Sequence, residues 1–184
     1  SEEDEESENF GGSLGRLFDL TTGGNLKLVN LTLQNGLAED DGRDGGAIRS
    51  VGADVELDTV ILRNNTATAD GGAVSITGAT LTMRNSKMVN NVAEDDGGAV
   101  IVVAGDMVDE GSSFINNTGS KGGGVLLDSS TGIFENSFLD NNSARELGGG
   151  VFITGSTTFV MQRSRLWRNA SNLDGGGLLF VEHD

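Results

Sequence analysis

Residues 71–91 read GGAVSITGATLTMRNSKMVNN, and this stretch holds one unit of a pattern that runs through the chain. Within it GGAVSITG, ATLTMRNS and KMVNN each alternate apolar and polar residues with period two, the mark of a half-buried strand. Three short strands per unit are expected, joined by turns where Gly and Asn gather. Pleat parity puts Val74, Ile76, Leu81, Met83 and Met88 on one inward face.

The Gly-Gly pair that opens this unit recurs at Gly45, Gly71, Gly97, Gly122, Gly148 and Gly175, at intervals of 26, 26, 25, 26 and 27 residues. A period of this length means one supersecondary unit stacked on copies of itself. Aligned on the glycines, the first segment gives the columns Ile48, Val74, Val100, Val125, Val151, Leu178 and Ser50, Ile76, Val102, Leu127, Ile153, Phe180. The second segment supplies Val55, Leu57, Phe134, Phe159 and Met161, and the third Leu62, Phe114, Leu139 and Leu166. The columns predict an all-β solenoid of parallel strands, about six to seven turns long, around a narrow apolar lumen. Asp109 falls where Met83 stood one turn earlier, so a bulge or shifted strand is expected there.

An Asn stands three residues after each third-segment apolar position, at Asn65, Asn91, Asn117, Asn142 and Asn169. Asn tolerates left-handed backbone and bonds turn amides, and identical residues about 4.8 Å apart can bond one another, so a structural ladder is expected. The Gly-Gly pair reads as the hinge between turns, where positive φ or close backbone approach is needed. A phosphate loop is disfavoured because no Lys-Ser/Thr follows and no helix is predicted.

Among 184 residues there are 29 Gly and no Pro, Cys or Tyr, so long helices are disfavoured and disulfides excluded. The formal charge of −16 makes nucleic acid and anionic membranes poor partners. No apolar run approaches the roughly 20 residues that span a bilayer. Residues 1–10, beginning SEEDEESE, read as an acidic tail, and residues 11–184 as a single repeat domain.

With this period, GGA plus an aliphatic residue, and an apolar residue three before Asn, the chain resembles the polymorphic outer membrane protein repeats, whose signatures are GGA(I/V/L) and FxxN. The FxxN form is strict only at Phe114 to Asn117, and GGA becomes GGG in the last three units. The stretch from Gly15 to Gly36 is similar to the segment leading into such repeats in secreted β-helix proteins. The resemblance implies a right-handed parallel β-helix, outside the cell or on its surface, serving as adhesin, passenger domain or structural fibre.

Several candidate sites follow from departures within the repeat. Asp44, Asp70 and Asp96, with Asp95 close by, stack near the glycines; solvent could screen them, or Ca²⁺ could bridge them, and no other cofactor is expected. Asn30, Asn64, Asn116, Asn141 and Asn169 begin N-x-S/T sequons, with Asn64, Asn116 and Asn141 expected to point outward and Asn169 to lie in the ladder. The outward column of the first strand runs Arg49, Ser75, Ile101, Leu126, Phe152, Leu179, and its apolar half is expected to be a protein interface, the alternative being burial under a loop. Trp167 is expected to face outward, where it serves packing, the commoner role of a lone Trp, or stacks on a sugar ring. Open ends of such a coil favour head-to-tail self-association.

The functional expectation is an extracellular structural or adhesive module, contacting other surface proteins or glycans and capable of forming a fibre. The alternatives are a carbohydrate-active enzyme on the same scaffold, or a Ca²⁺-stabilised glycan-binding module. The chain has a single His, His183, and no Tyr, leaving little material for a catalytic base, so no catalytic residue is assigned.

Overall fold

The computed structural model describes residues 15–39 and 43–181. The acidic stretch 1–10, Asp40, Asp41 and His183 lie outside the described residues. The described chain forms 25 strands in four parallel sheets, one of seven strands and three of six. Each strand pairs with its counterpart one turn earlier and one turn later, as Val74 does with Ile48 and Val100. Six complete turns result, with no helix among the described residues.

One turn runs through Val74–Thr77, Thr80–Arg84, Lys87–Val89 and Val92–Ala93. The first three are the strands that the alternation predicts; the fourth is an addition. That extra strand has two residues in this turn and up to five in Ser143–Leu147, too short at most levels for a period-two signal. It sits between the Asn column and the glycines, and closes the coil into four walls.

A residue with positive φ turns the corner between each sheet and the next. Gly78, Asn85, Asn90 and Gly97 serve the four corners around this turn, with φ of 65°, 48°, 54° and 67°. L-residues other than Asn rarely adopt this conformation, which explains why Gly and Asn gather there. The left-handed residue is the one before each ladder position, Asn64, Asn90, Asn116 and Asn141 in four turns and Arg168 before Asn169, and not the ladder residue itself. The two tasks assigned to one Asn column are thus divided between adjacent residues.

The lumen is apolar along its length except at Ser50 and Asp109. Ile48, Val74, Val100, Val125 and Val151 are fully buried in one row, and Leu62, Met88, Phe114 and Leu139 in another. Phe114, Phe134 and Phe159 pack ring on ring, with centroids 6.1 and 5.6 Å apart and tilted planes. Towards the last turn the lumen residues Phe159, Met161 and Leu166 become half-buried, and Phe180 is 46% exposed.

Register is unbroken at Asp109, contrary to the expected bulge: Met83, Asp109 and Phe134 align directly within five-residue pairings. The strand keeps its main-chain ladder and carries the carboxyl into the lumen rather than surrendering several backbone hydrogen bonds. The irregularity lies instead between Gly119 and Lys121, opposite Ala144 and Leu147. The cause is length, because Ser143–Leu147 has one more residue than Thr118–Lys121.

Candidate functional surfaces

The Asn column is closed on itself. Nδ2 of Asn65 donates to Oδ1 of Asn91 at 3.0 Å, and the same relation joins Asn91 to Asn117, Asn117 to Asn142 and Asn142 to Asn169. Each Oδ1 also accepts the preceding Asn's main-chain amide, and each Nδ2 donates to the carbonyl of the inward residue one turn back, such as Leu62 for Asn91. Asn65, Asn91, Asn117 and Asn142 are fully buried, so their polar atoms are spent on the coil.

Asn30, Asn64, Asn116 and Asn141 are exposed corner residues with positive φ. Nδ2 of Asn141 donates to Oδ1 of Asn116 at 2.8 Å, joining two sequons across one turn. Asn169 is half-buried, its Nδ2 committed to the carbonyl of Leu139.

The Asp column is also bonded from turn to turn. The amide of Asp70 donates to Oδ1 of Asp44 at 3.3 Å, that of Asp96 to Asp70 at 2.9 Å and that of Lys121 to Asp96 at 3.0 Å. Burial pushes the Asp70 carboxyl above the usual range, helped by the charges of Asp44, Asp96 and Asp95 and opposed by the Asp96 amide. Burial also raises Asp96, against the pull of Lys121. Asp95 is exposed. Among the described residues no group of three or more acidic or His side chains is placed to hold a metal ion, and Asp44, Asp70 and Asp96 are joined instead through the main-chain amides.

Of the two expectations for the apolar outward column, burial is what the structure shows. Ile101, Leu126 and Phe152 point away from the lumen, as parity predicts, yet are only 5, 4 and 6% exposed. They form a second small core with Val103, Leu147, Leu179 and Val181 packed against it. The glycine turns are folded over them, since a Cβ built on Gly97 would lie 3.0 Å from Ile101 Cβ, and one on Gly148 2.8 Å from Phe152 Cβ. Leu147 stands where earlier turns carry Asp. Its appearance and the apolar turn of the outward column are therefore one feature, a patch sealed within the chain. A groove of about 400 Å³ runs beside it, with Ile101, Leu126 and Phe152 as floor and Asp70, Asp96, Lys121 and Asp128 among its walls.

The third sheet presents a different outward row. Arg165 lies above Phe138 with its guanidinium carbon 4.5 Å from the ring centroid, and 5.3 Å from that of Trp167. Trp167 is 51% exposed, and Arg165 makes no ion pair among the described residues. Beside them Arg168 grips Asp140 with two bonds of 3.0 and 2.7 Å, holding that carboxyl below its usual range. Alternation gave the direction of Trp167; the stacking of Arg165 on two rings needs the register between turns.

Like strands stacked at a fixed interval, with buried polar ladders at the corners, define a parallel β-solenoid. The sequence matches the family described as right handed beta helix region over residues 18–184, and the chain belongs to that family. The family gives the coil its hand. Its fold occurs in enzymes and in non-enzymes. Comparison with curated proteins and with solved structures found no match. No helix among the described residues is long and apolar enough to cross a membrane.

Proposed function

We propose that this β-helix is a structural or adhesive module of the polymorphic outer membrane protein kind, working outside the cell or on its surface through its lateral faces. The observation that carries this reading is the outward row of the third sheet, where Phe138, Arg165 and Trp167 form an aromatic and cationic strip. A half-exposed indole beside a guanidinium without a carboxylate partner suits sugar rings or a protein loop. The buried Asn residues, by contrast, are saturated by one another, which suits a scaffold. Self-association end to end, and glycans on Asn30 or Asn64, belong to the same proposal.

The test is retention on immobilised glycans and extracellular matrix proteins, comparing the native chain with Trp167→Ala and Arg165→Ala. Binding that both substitutions abolish, with circular dichroism unchanged, supports the reading. Release of reducing or unsaturated sugar ends from a polysaccharide would establish the enzyme instead.

A further inference from the structure

Asp109 is a carboxyl in a lumen of hydrocarbon. It occupies the place that Met83 fills one turn earlier and Phe134 one turn later, and is 1% exposed. Its Oδ2 accepts the Ser137 hydroxyl at 2.5 Å, while Oδ1 is buried with no hydrogen-bond partner. A corner hydroxyl at such a position otherwise bonds a main-chain carbonyl one turn back, as Ser86 does with Leu57 and Ser164 with Phe134. Ser137 has turned to the carboxylate instead.

The surroundings offer nothing to neutralise a negative charge. Met83 and Phe134 flank it within its own sheet, and the inward rows of the neighbouring walls at this level, Val102 and Phe114, are also apolar. Ser112 and Ser137 supply the nearby polar groups, and the charge acting on it is that of Glu110, of the same sign. Among the described residues no Arg or Lys pairs with it. An ionised carboxylate so placed is strongly penalised, whereas a protonated one can donate from one oxygen and accept on the other.

We propose that Asp109 is a proton-operated weak point in the middle of the rod, which seals the coil when protonated and loosens the turns on either side when ionised. Burial raises the carboxyl to about 6, against the pull of the Ser112 and Ser137 groups. The unfolded value is 3.8. Between these two values the folded chain holds a proton that the unfolded chain has released, so stability falls as pH rises through the folded value. The whole effect is about a hundredfold in the folding equilibrium, absent below the unfolded value and complete above the folded one. Asp109 thus leaves the rod tightest below the unfolded value, loosens it progressively across mildly acidic pH, and leaves it most easily opened at neutrality. This goes beyond the proposed contact function and does not depend on it.

The experiment compares the full chain with Asp109→Asn and Asp109→Leu by denaturant unfolding from pH 4.5 to 7.5, and by hydrogen exchange of residues 106–110 and 131–135 corrected for intrinsic rates. The difference between wild type and variant is read, because Asp70 and Asp96 lend both chains a slope of the same sign. The expected result is a variant more stable than wild type at pH 7.5, an advantage that shrinks as pH falls below about 6, and exchange in those two strands that quickens more in wild type than in either variant as pH rises from 4.5 to about 6 and then levels off. Parallel pH profiles would overturn the proposal. Should a variant fail to fold, carbon-13 titration of the wild-type aspartates decides: a buried carboxyl titrating near 6 supports it, and none titrating above the ordinary range defeats it.

Discussion

Asn117 spends two donors on Asn142: its main-chain amide and its Nδ2 reach the same Oδ1, at 3.0 and 2.9 Å, while Nδ2 also meets the carbonyl of Met88 at 3.0 Å. A single amide side chain thus ties two turns together and satisfies groups that no solvent reaches. The main-chain ladders hold the walls, and the Asn column locks one corner.

Replacing Asn142 with Ala removes the acceptor for both Asn117 donors and the donor to Phe114, all within the buried interior. The cost should be about 2–4 kcal/mol, because buried groups are left unpaired. Asn169→Ala likewise removes the acceptor for two Asn142 donors, but at a half-buried rung where water can partly replace it, and should cost less, about 1–2 kcal/mol. Urea unfolding of the two variants measures the contrast; equal losses would mean that the ladder's burial is not what matters.

The glycines separate into two kinds. Gly78 has φ of 65° with nothing within 4 Å of a built Cβ, so Gly78→Ala bears the left-handed penalty alone, about 1 kcal/mol. Gly98 has ordinary φ, but its Cβ would drive into the main chain of Gly123 and Thr118 on the next turn. Backbone cannot yield there without parting two turns, so Gly98→Ala should cost more than about 3 kcal/mol. Thermal melts of the two alanine variants give the ranking directly.

How far the sequence discloses this molecule depends on whether a feature is local or shared between turns. Val74, Leu81 and Met88 could be placed inward because parity within a strand decides it, and the repeat averages away accidents. A lone acid such as Asp109 in an apolar column looks like a break, whereas the register follows the main-chain bonds on both sides. For Ile101 and Phe152 parity reports direction and not cover, so the sequence alone leaves an interface and burial under a loop both open; the cover comes from glycine turns and Leu147 in neighbouring turns. The pairing of Arg165 with Phe138 was out of reach for the same reason. A further corner signal lies in the sequence: Asn85 and Asn136, two units apart, mark the left-handed turn between the second and third sheets.

The sealed patch predicts coupling between Leu147 and Phe152. Leu147→Asp restores the residue found at Asp70 and Asp96 but strips apolar cover from the second core, and should cost about 1–2 kcal/mol. Phe152→Ser, which copies Ser75, should cost about 3 kcal/mol. Together they should cost about 1 kcal/mol less than their sum, since each change removes the reason for the other residue. A double-mutant cycle at one denaturant slope checks it, and strict additivity would show that the two side chains act separately.

The Asp column should respond to neutralisation more than to calcium. Asp70 and Asp96 sit above the usual carboxylate range, so in the fold their ionised forms are penalised relative to the unfolded chain. An amide keeps Oδ1 as acceptor for the amides of Asp96 and Lys121, and discards the charge. Asp70→Asn and Asp96→Asn should therefore each raise Tm at pH 7, by about one to two degrees given their half exposure. The sign fixes the window: the penalty is complete above the folded value, fades below it, and vanishes under the unfolded value of 3.8, where variants and wild type should melt together. One oxygen of each carboxylate is already committed to a main-chain amide, so Ca²⁺ and Mg²⁺ at matched ionic strength should shift the wild-type melt equally. A rise specific to Ca²⁺, lost in Asp70→Asn and Asp96→Asn, would instead assign the column to the metal.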